Sequence, residues 1–281
     1  TIHRDWCPQC RKKVEPPVTD ALSGSTLGLR VLVLSAWLHY ALGNTLSQIV
    51  EVFNFHLQLK ISEGGLVQMW YRLQEILFAW YEQIREEALQ SATYTDEEVG
   101  YRKYIDVDSF VDYFILSEIG RNVDGYRLST YLVKDKNAKL AMGPMWDLNL
   151  AFGNADYCEG ANDSSWAYRF SAVCPGDANP VPFWWQRLLS DAYFSDKVKS
   201  RWQQLRLDVL SDEHLAAKIN DISLLLENSE SVPENFSVWG ILGEYVWPNA
   251  FVGDSHQQEV QYLKTWLQAR ITWLDNNIPA L

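Results

Sequence analysis

Apolar residues recur every three or four positions along most of this chain, and polar breaks rich in Gly, Pro or Asn separate the runs. At the front the pattern predicts helices over residues 27–42, 45–56 and 65–88, with Thr45 and Gln48 in capping-box positions for the second. The break Ser62-Glu63-Gly64-Gly65 precedes the third. Its Leu66, Met69, Trp70, Leu73, Ile76, Leu77, Trp80 and Ile84 make one stripe expected to bury against partners. Further on, Asp106 or Asp108 stands where it can cap a helix carrying Phe110, Val111, Phe114, Ile115 and Ile119. Two β-rich runs, 126–133 and 139–145, joined by Asp135-Lys136-Asn137, read as a hairpin. An irregular stretch over 154–182 follows. Pro182 then opens a helix at Phe183, and others are predicted over 196–210, 211–227 and 255–277, with Asp196, Ser211 and Ser255 as caps. Val260, Leu263, Trp266, Leu267, Ile271 and Leu274 form the inner face of the last. The fold class expected is α+β, predominantly helical: a three-helix N-terminal segment, then a larger lobe built around a short hairpin.

Composition narrows this picture. A chain of 281 residues that is 47% hydrophobic can build one large core or two domains, and 13 Trp with 14 Tyr argue against long disordered regions. The net charge of −12 is uneven: residues 1–90 carry 8 Lys/Arg against 9 Asp/Glu, residues 91–281 carry 16 against 27. So acidic a larger part does not suit general nucleic-acid binding, which needs Lys and Arg on phosphates. It suits cations or a basic protein partner. The apolar run 31–42 is broken by His39 and too short to span a membrane. The chain begins with Thr, which leaves the compartment open: cytoplasmic as it stands, secreted or cell-surface with another N-terminus. Cys7-Pro8-Gln9-Cys10 is half of a zinc site, with only His3 close by, so bound zinc is not expected. Cys158 and Cys174 are read as two inert thiols, with a disulfide as the alternative in an oxidising compartment. Asn162-Asp163-Ser164 and Asn235-Phe236-Ser237 match glycosylation triplets.

Candidate chemistry concentrates in the two polar loops that bracket the hairpin, Arg121-Asn122-Val123-Asp124-Gly125 and Gly143-Pro144-Met145-Trp146-Asp147-Leu148-Asn149. Asp147, among apolar neighbours, needs a metal, a base or hydrogen bonds. Asp124 reads either as a proton acceptor or as a turn former. Arg121 or Arg127 is placed to contact phosphate. Asn122-x-Asp124 and Gly143-Pro-x-Trp-Asp147-x-Asn149 resemble the catalytic and metal-binding loops of the CotH family of kinase-fold proteins. With less specific residues the likeness runs through Phe183-Trp184-Trp185-Gln186-Arg187-Leu188 and Tyr245-Val246-Trp247-Pro248-Asn249, covering about 90–281. The resemblance implies a kinase-like C-terminal lobe using Mg2+ and ATP. It implies Asp124 and Asn122 as catalytic residues, Asp147 and Asn149 as metal ligands, Ser129 and Asn149 as nucleotide contacts, and a protein Ser or Thr as acceptor. Ser129 stands where kinases carry an Asn, and Asn149 where many relatives carry an Asp.

A second resemblance lies in front. Cys7-Pro-x-Cys10, Val14-Glu-Pro-Pro17 and Leu34-Ser-Ala-Trp-Leu-His-Tyr-x-Leu-Gly43, through Gly64-Gly-Leu-Val-Gln-Met-Trp70, are similar to the N-terminal region of zinc-finger insertion-sequence transposases of the type-sixty-six group. The division expected is therefore a transposase-like fragment over 1–88 and a CotH-like lobe over 89–281, a bacterial fusion with its join near 82–94. No Gly-rich phosphate loop precedes the catalytic loop, and Lys60 is the one lysine between residues 14 and 102. Phosphotransfer is accordingly expected to be impaired. The alternatives are an inactive partner-binding scaffold and a transposase remnant with residual DNA binding.

Overall fold

A computed structural model describes residues 5–14, 20–22, 25, 27–40 and 42–281, without the side chains of residues 5, 13, 14, 40, 80, 83, 84, 86 and 87. His3 and the Glu15-Pro16-Pro17 part of the transposase-like motif lie outside the described residues. The chain divides into two compact units, residues 1–83 and 84–281.

In the first unit, β1 (Asp5–Cys7) and β2 (Lys12–Val14) pair antiparallel; Cys7 ends β1 opposite Lys12, and Cys10 lies in the turn between the strands. Three helices follow: α1 (Leu29–Tyr40), α2 (Leu46–His56) and α3 (Glu63–Gln83). The capping box of α2 forms as expected, with Thr45 and Gln48 exchanging bonds. Leu32, Ile49, Phe53, Ile61, Leu66 and Met69 are the buried centre. Asn54 pins the chain before α3 by bonding both main-chain groups of Ile61, at 3.1 and 2.8 Å. The expected stripe on α3 is buried only in part, because Ile76 and Leu77 are about half exposed at 53% and 51%. Length explains this: α1 and α2, of 12 and 11 residues, are each about 16–18 Å long, against roughly 32 Å for the 21 residues of α3.

The predicted single helix over 65–88 ends at Gln83, and a π-helical segment, Ile84–Gln90, opens the second unit. The Arg187 guanidinium donates to the carbonyls of Leu89, Gln90 and Ser91 at 2.5, 3.5 and 2.7 Å, taking up acceptors the distorted turn leaves free.

The second unit is organised around α4 (Val107–Gly120), capped by Asp106 through the Ser109 amide. All five apolar residues expected inside are buried, and so are Val107, Tyr113, Ser117, Glu118 and Gly120. Asp108 and Leu116, eight residues apart on one face, stay exposed, while most of the remaining helix surface is buried, as in a core helix. Phe110, Tyr113 and Phe114 meet Trp185 at ring separations of 5.8–6.4 Å. Around α4 pack α7 (Ala192–Arg206) and α10 (His256–Asn277). Four shorter or more peripheral helices complete the lobe: α5 (Phe170–Val173), α6 (Trp184–Leu189), α8 (Asp212–Asn228) and α9 (Ser231–Val238).

Three expectations need correction here. The cap of α7 is Asp191, not Asp196. Asp191 Oδ1 accepts from the Tyr193 amide, while its other oxygen holds the Tyr101 hydroxyl at 2.7 Å and Arg102 at 3.3 Å. The hairpin is much shorter than 126–133 and 139–145. Only β3 (Leu132–Val133) and β4 (Ala141–Met142) pair, with Leu132 opposite Met142. Residues 126–129 are instead wound in turns, because the Asp124 carbonyl accepts the amides of Arg127, Leu128 and Ser129 and the Tyr126 ring is drawn into the core. Cys158 and Cys174 are joined in a disulfide, where two thiols were expected, since the fold brings their Cα atoms to 5.5 Å.

Candidate functional site

The two candidate loops meet because α4 and the hairpin place them side by side. Helix α4 ends at Gly120, and Arg121 caps it in the left-handed region at φ 44°. The other loop returns to the same place, where the Phe152 amide donates to the Gly120 carbonyl at 2.7 Å. Gly153 completes the junction with φ +81°. A Cβ there would come within 2.5 Å of the Trp266 indole, so only glycine fits between the loop and α10. Tyr262 and Trp266 of α10 then bond the carbonyls of Gly153 and Ala161 at 2.9 and 2.8 Å.

Asn122, 2% exposed, is the bridge between the loops. Its amide nitrogen donates to the Asp147 carbonyl at 3.2 Å and its oxygen accepts the Asp124 amide at 3.1 Å. Ser129 Oγ reaches Asp147 Oδ2 at 3.3 Å. Four of the five site residues read from the sequence are thus linked in one network: Asn122, Asp124, Ser129 and Asp147. The side chain of Asn149 is exposed, and its carbonyl accepts from Asn154 at 2.8 Å. Asp147 itself lies in the left-handed region, φ 60° and ψ 60°, and turns its carboxylate outward. Asp is one of the few residues that tolerates that conformation.

The Asp124 carboxylate faces Arg127 at 3.0 Å. Arg127 is nearly enclosed, at 3% exposure, and its guanidinium also bonds Asp177 at 2.8 Å, the Val123 carbonyl at 2.9 Å and, more weakly, the Asn179 carbonyl at 3.4 Å, over the Phe170 ring. Burial pushes the Asp124 carboxyl above its ordinary range. Arg127 opposes the shift, and the charges of Asp147 and Asp177 add to it. Tyr157, beside the site, is raised by burial and then by the charge of Asp124.

Both arginines that were candidates for phosphate are engaged by protein partners. Arg121 bonds the Glu159 carbonyl and Ser165 Oγ, with burial lowering its pKa, and Arg127 is engaged as described. Buried guanidiniums need several acceptors, and the loop carbonyls and carboxylates supply them first. Asp177 is the participant the sequence did not announce. Arg127 at three residues from Asp124 has ion-pair spacing, but the second carboxylate comes from 50 residues on.

Among the described residues no three His, Cys, Asp or Glu side chains are arranged to hold a metal by themselves. Magnesium carried on a nucleotide needs less, one or two carboxylates together with waters and phosphate oxygens. The exposed Asp147 carboxylate, with the neutral oxygens of Ser129 and Asn149, is a donor set of that kind. Cys7 and Cys10 lie in the first unit, where the Cys10 amide donates to Cys7 Sγ at 3.4 Å and lowers that thiol's pKa.

The segment Tyr245–Asn249 also belongs to this neighbourhood. Ala155 bridges to Asn249, the Asp156 amide donates to the Pro248 carbonyl at 2.9 Å, and Trp247 stacks on Tyr157 at 6.1 Å. No helix among the described residues is long and apolar enough to cross a membrane. No curated protein and no solved structure is significantly similar to the chain. The family model for CotH kinase protein matches residues 68–274, beginning earlier than the 90 expected and taking in the loops, the hairpin and helices α4 to α10. The chain belongs to the CotH kinase family.

Proposed function

We propose that the second unit is a protein-kinase-like phosphotransfer lobe acting on a Ser or Thr of an acceptor protein. The observation that carries this reading is the Asn122 bridge, which ties Asp124 and Asp147 into one network across two loops. Asp124 accepts the proton of the acceptor hydroxyl. Among the described residues its one close cation, Arg127, holds a single oxygen, and the other is left for that proton. Asn122 sets the angle between the loops. Asp147, Asn149 and Ser129 would hold Mg2+ and the nucleotide phosphates. When bound, Mg-ATP supplies the transferable phosphoryl group and a metal that neutralises developing charge. The acidic balance of residues 91–281 favours a basic acceptor.

For the front of the chain we infer a transposase-derived fragment, on the motifs it carries; salt-sensitive DNA binding is its test. A second reading, a partner-binding lobe without catalysis, is favoured by the exposure of Trp146 and Trp247, 60% and 71%, and by the inward engagement of both arginines. Phosphate transfer from labelled ATP to a basic Ser-containing polypeptide, compared between wild type and Asp124→Asn, decides between them. Transfer lost in the variant supports the phosphotransfer reading. Binding of that polypeptide with no transfer in either protein supports the scaffold.

A further inference from the structure

The disulfide lies close to the candidate site without belonging to it. Cys158 and Cys174 pack with Leu150, Tyr157 and Val181 around a small buried cluster of Val123, Ala155 and Phe170, and Val123 is the residue before Asp124. On one side the bond holds residues 155–158, themselves fastened to Asn249 and Pro248. On the other it holds the segment from Phe170 to Val181, which carries the outer contacts of Arg127, among them the Asn179 carbonyl at 3.4 Å. Phe170 lies under the guanidinium at 4.1 Å, and Asp177 takes its Nη1 at 2.8 Å.

That second segment has few other anchors. Residues 175, 176 and 178–180 are exposed. The Asp177 amide bonds the Cys174 carbonyl at 3.2 Å, and the Val181 amide bonds Ser171 Oγ at 2.8 Å. Asp177 is thus held by the Cys174 carbonyl at its start, by the Asn179 amide, which donates to its carboxylate at 2.8 Å, and by Arg127 itself. Arg127 is in turn the only cation bonded to Asp124 among the described residues. A covalent tie is thus linked, through Asp177 and Arg127, to the carboxylate proposed to accept the proton.

We propose that the Cys158–Cys174 disulfide is a redox latch that positions Asp124 through Asp177 and Arg127. Oxidised, it keeps Asp177 and Phe170 on the guanidinium and so keeps the guanidinium on Asp124. A dithiol reductant opens it by thiol–disulfide exchange: two electrons pass to the cystine, Cys158 and Cys174 become thiols, and the reagent leaves as its own disulfide. The freed segment then releases Arg127, and the turn at 124–129 loosens. Both cysteines are half-buried, so a small dithiol can reach them. The consequence for catalysis rests on the phosphotransfer reading; the mechanical coupling does not.

The test is hydrogen–deuterium exchange on the full chain, air-oxidised and after dithiothreitol, with the thiol state of each sample read by mass spectrometry. Reduction is expected to speed exchange of the 123–129 amides about tenfold, the scale of one lost charge-assisted bond, while the 212–228 amides of α8 stay unchanged. In Arg127→Met the 123–129 amides should already exchange fast, and reduction should add little; Arg127→Lys should restore part of the redox effect. Equal exchange at 123–129 in the two wild-type states overturns the latch, as does finding free thiols in the oxidised protein. Because the wild-type comparison needs no cysteine variant, failure of Cys158→Ser/Cys174→Ser to fold leaves the test intact. A redox response at 123–129 in a protein indifferent to Mg-ATP keeps the latch and sinks the phosphotransfer reading. Nucleotide binding without any redox response does the reverse.

Discussion

Two carboxylate–guanidinium pairs lie near each other on this fold and behave as opposites. Glu118 meets Arg270 at 3.0 Å with both side chains wholly buried, and Asp124 meets Arg127 at 3.0 Å at the edge of a loop, with Asp124 17% exposed. Every acceptor position of the first pair is taken. Glu118 receives Tyr126, Arg270 and the amides of Ala167 and Tyr168, while Arg270 also gives bonds to the carbonyls of Glu118, Asp163 and Ser165. Burial lowers Arg270 to about 10, which leaves it cationic at neutral pH. The pair ties α4 to α10 and to the 163–168 loop, and nothing remains for a ligand to bind. Among the described residues the Asp124 pair keeps one carboxylate oxygen uncommitted beside a second, exposed carboxylate, Asp147. Saturation marks an anchor; an open valence on an anchored frame marks a place for chemistry.

The largest effect should come from breaking the anchor. Arg270→Met strands a buried carboxylate, and urea denaturation should show a loss of about 3–5 kcal/mol, most of it recovered when Glu118→Met is added. A loss near that of a surface pair, below about 1 kcal/mol, would mean the anchor is not sealed. Next comes the frame between the two pairs. Gly153→Ala puts a Cβ into the Trp266 indole at positive φ, and should cost roughly 1–3 kcal/mol by the same measurement. No destabilisation would show that the loop carrying Asp147 is not pinned by α10.

A smaller effect follows from pH. Asp124 titrates above its ordinary range in the folded chain, first because it is buried, so folding prefers its protonated form. That contribution is fully present below the unfolded carboxylate value of about 3.9 and is lost as pH rises through the higher folded value. Asp124→Asn mimics the protonated form. Its stability relative to wild type should therefore improve between about pH 3 and pH 7, and a difference that is flat or moves the other way contradicts the assignment. Ser129→Ala, which removes one long bond at the surface, should shift stability by less than about 0.5 kcal/mol.

How much of this was legible in the sequence varied with the range of the forces involved. Helix α4 was, since Asp106 and the spacing from Phe110 to Ile119 are local signals that the buried position of the helix reinforces. The caps Ser211 and Ser255 were legible for the same reason. Asp191 was not, because its selection over Asp196 comes from Tyr101 and Arg102, some 90 residues earlier. The hairpin was overestimated because Tyr126 has strand propensity but is claimed by the core. Arg270 sits inside the apolar stripe of α10, where a charge reads as surface until Glu118, 152 residues upstream, arrives beside it. In the site, residue types and spacing pointed to Asp124 and Asp147. The partners that hold Asp124 in place, Arg127 with Asp177, needed three-dimensional proximity, as did the disulfide.

The central claim, that the network joining Asp124 to Asp147 is a nucleotide–metal site, is tested most directly by thermal unfolding of the intact chain. The series compares Mg2+ alone, ATP alone, both together, and both with Asp147→Ala. Ligand at about 100 times its dissociation constant should stabilise the protein by about 2.7 kcal/mol. A shift that requires both ligands and vanishes in Asp147→Ala is the predicted result. A cooperative transition that no combination moves, or a shift that survives in Asp147→Ala, would contradict it.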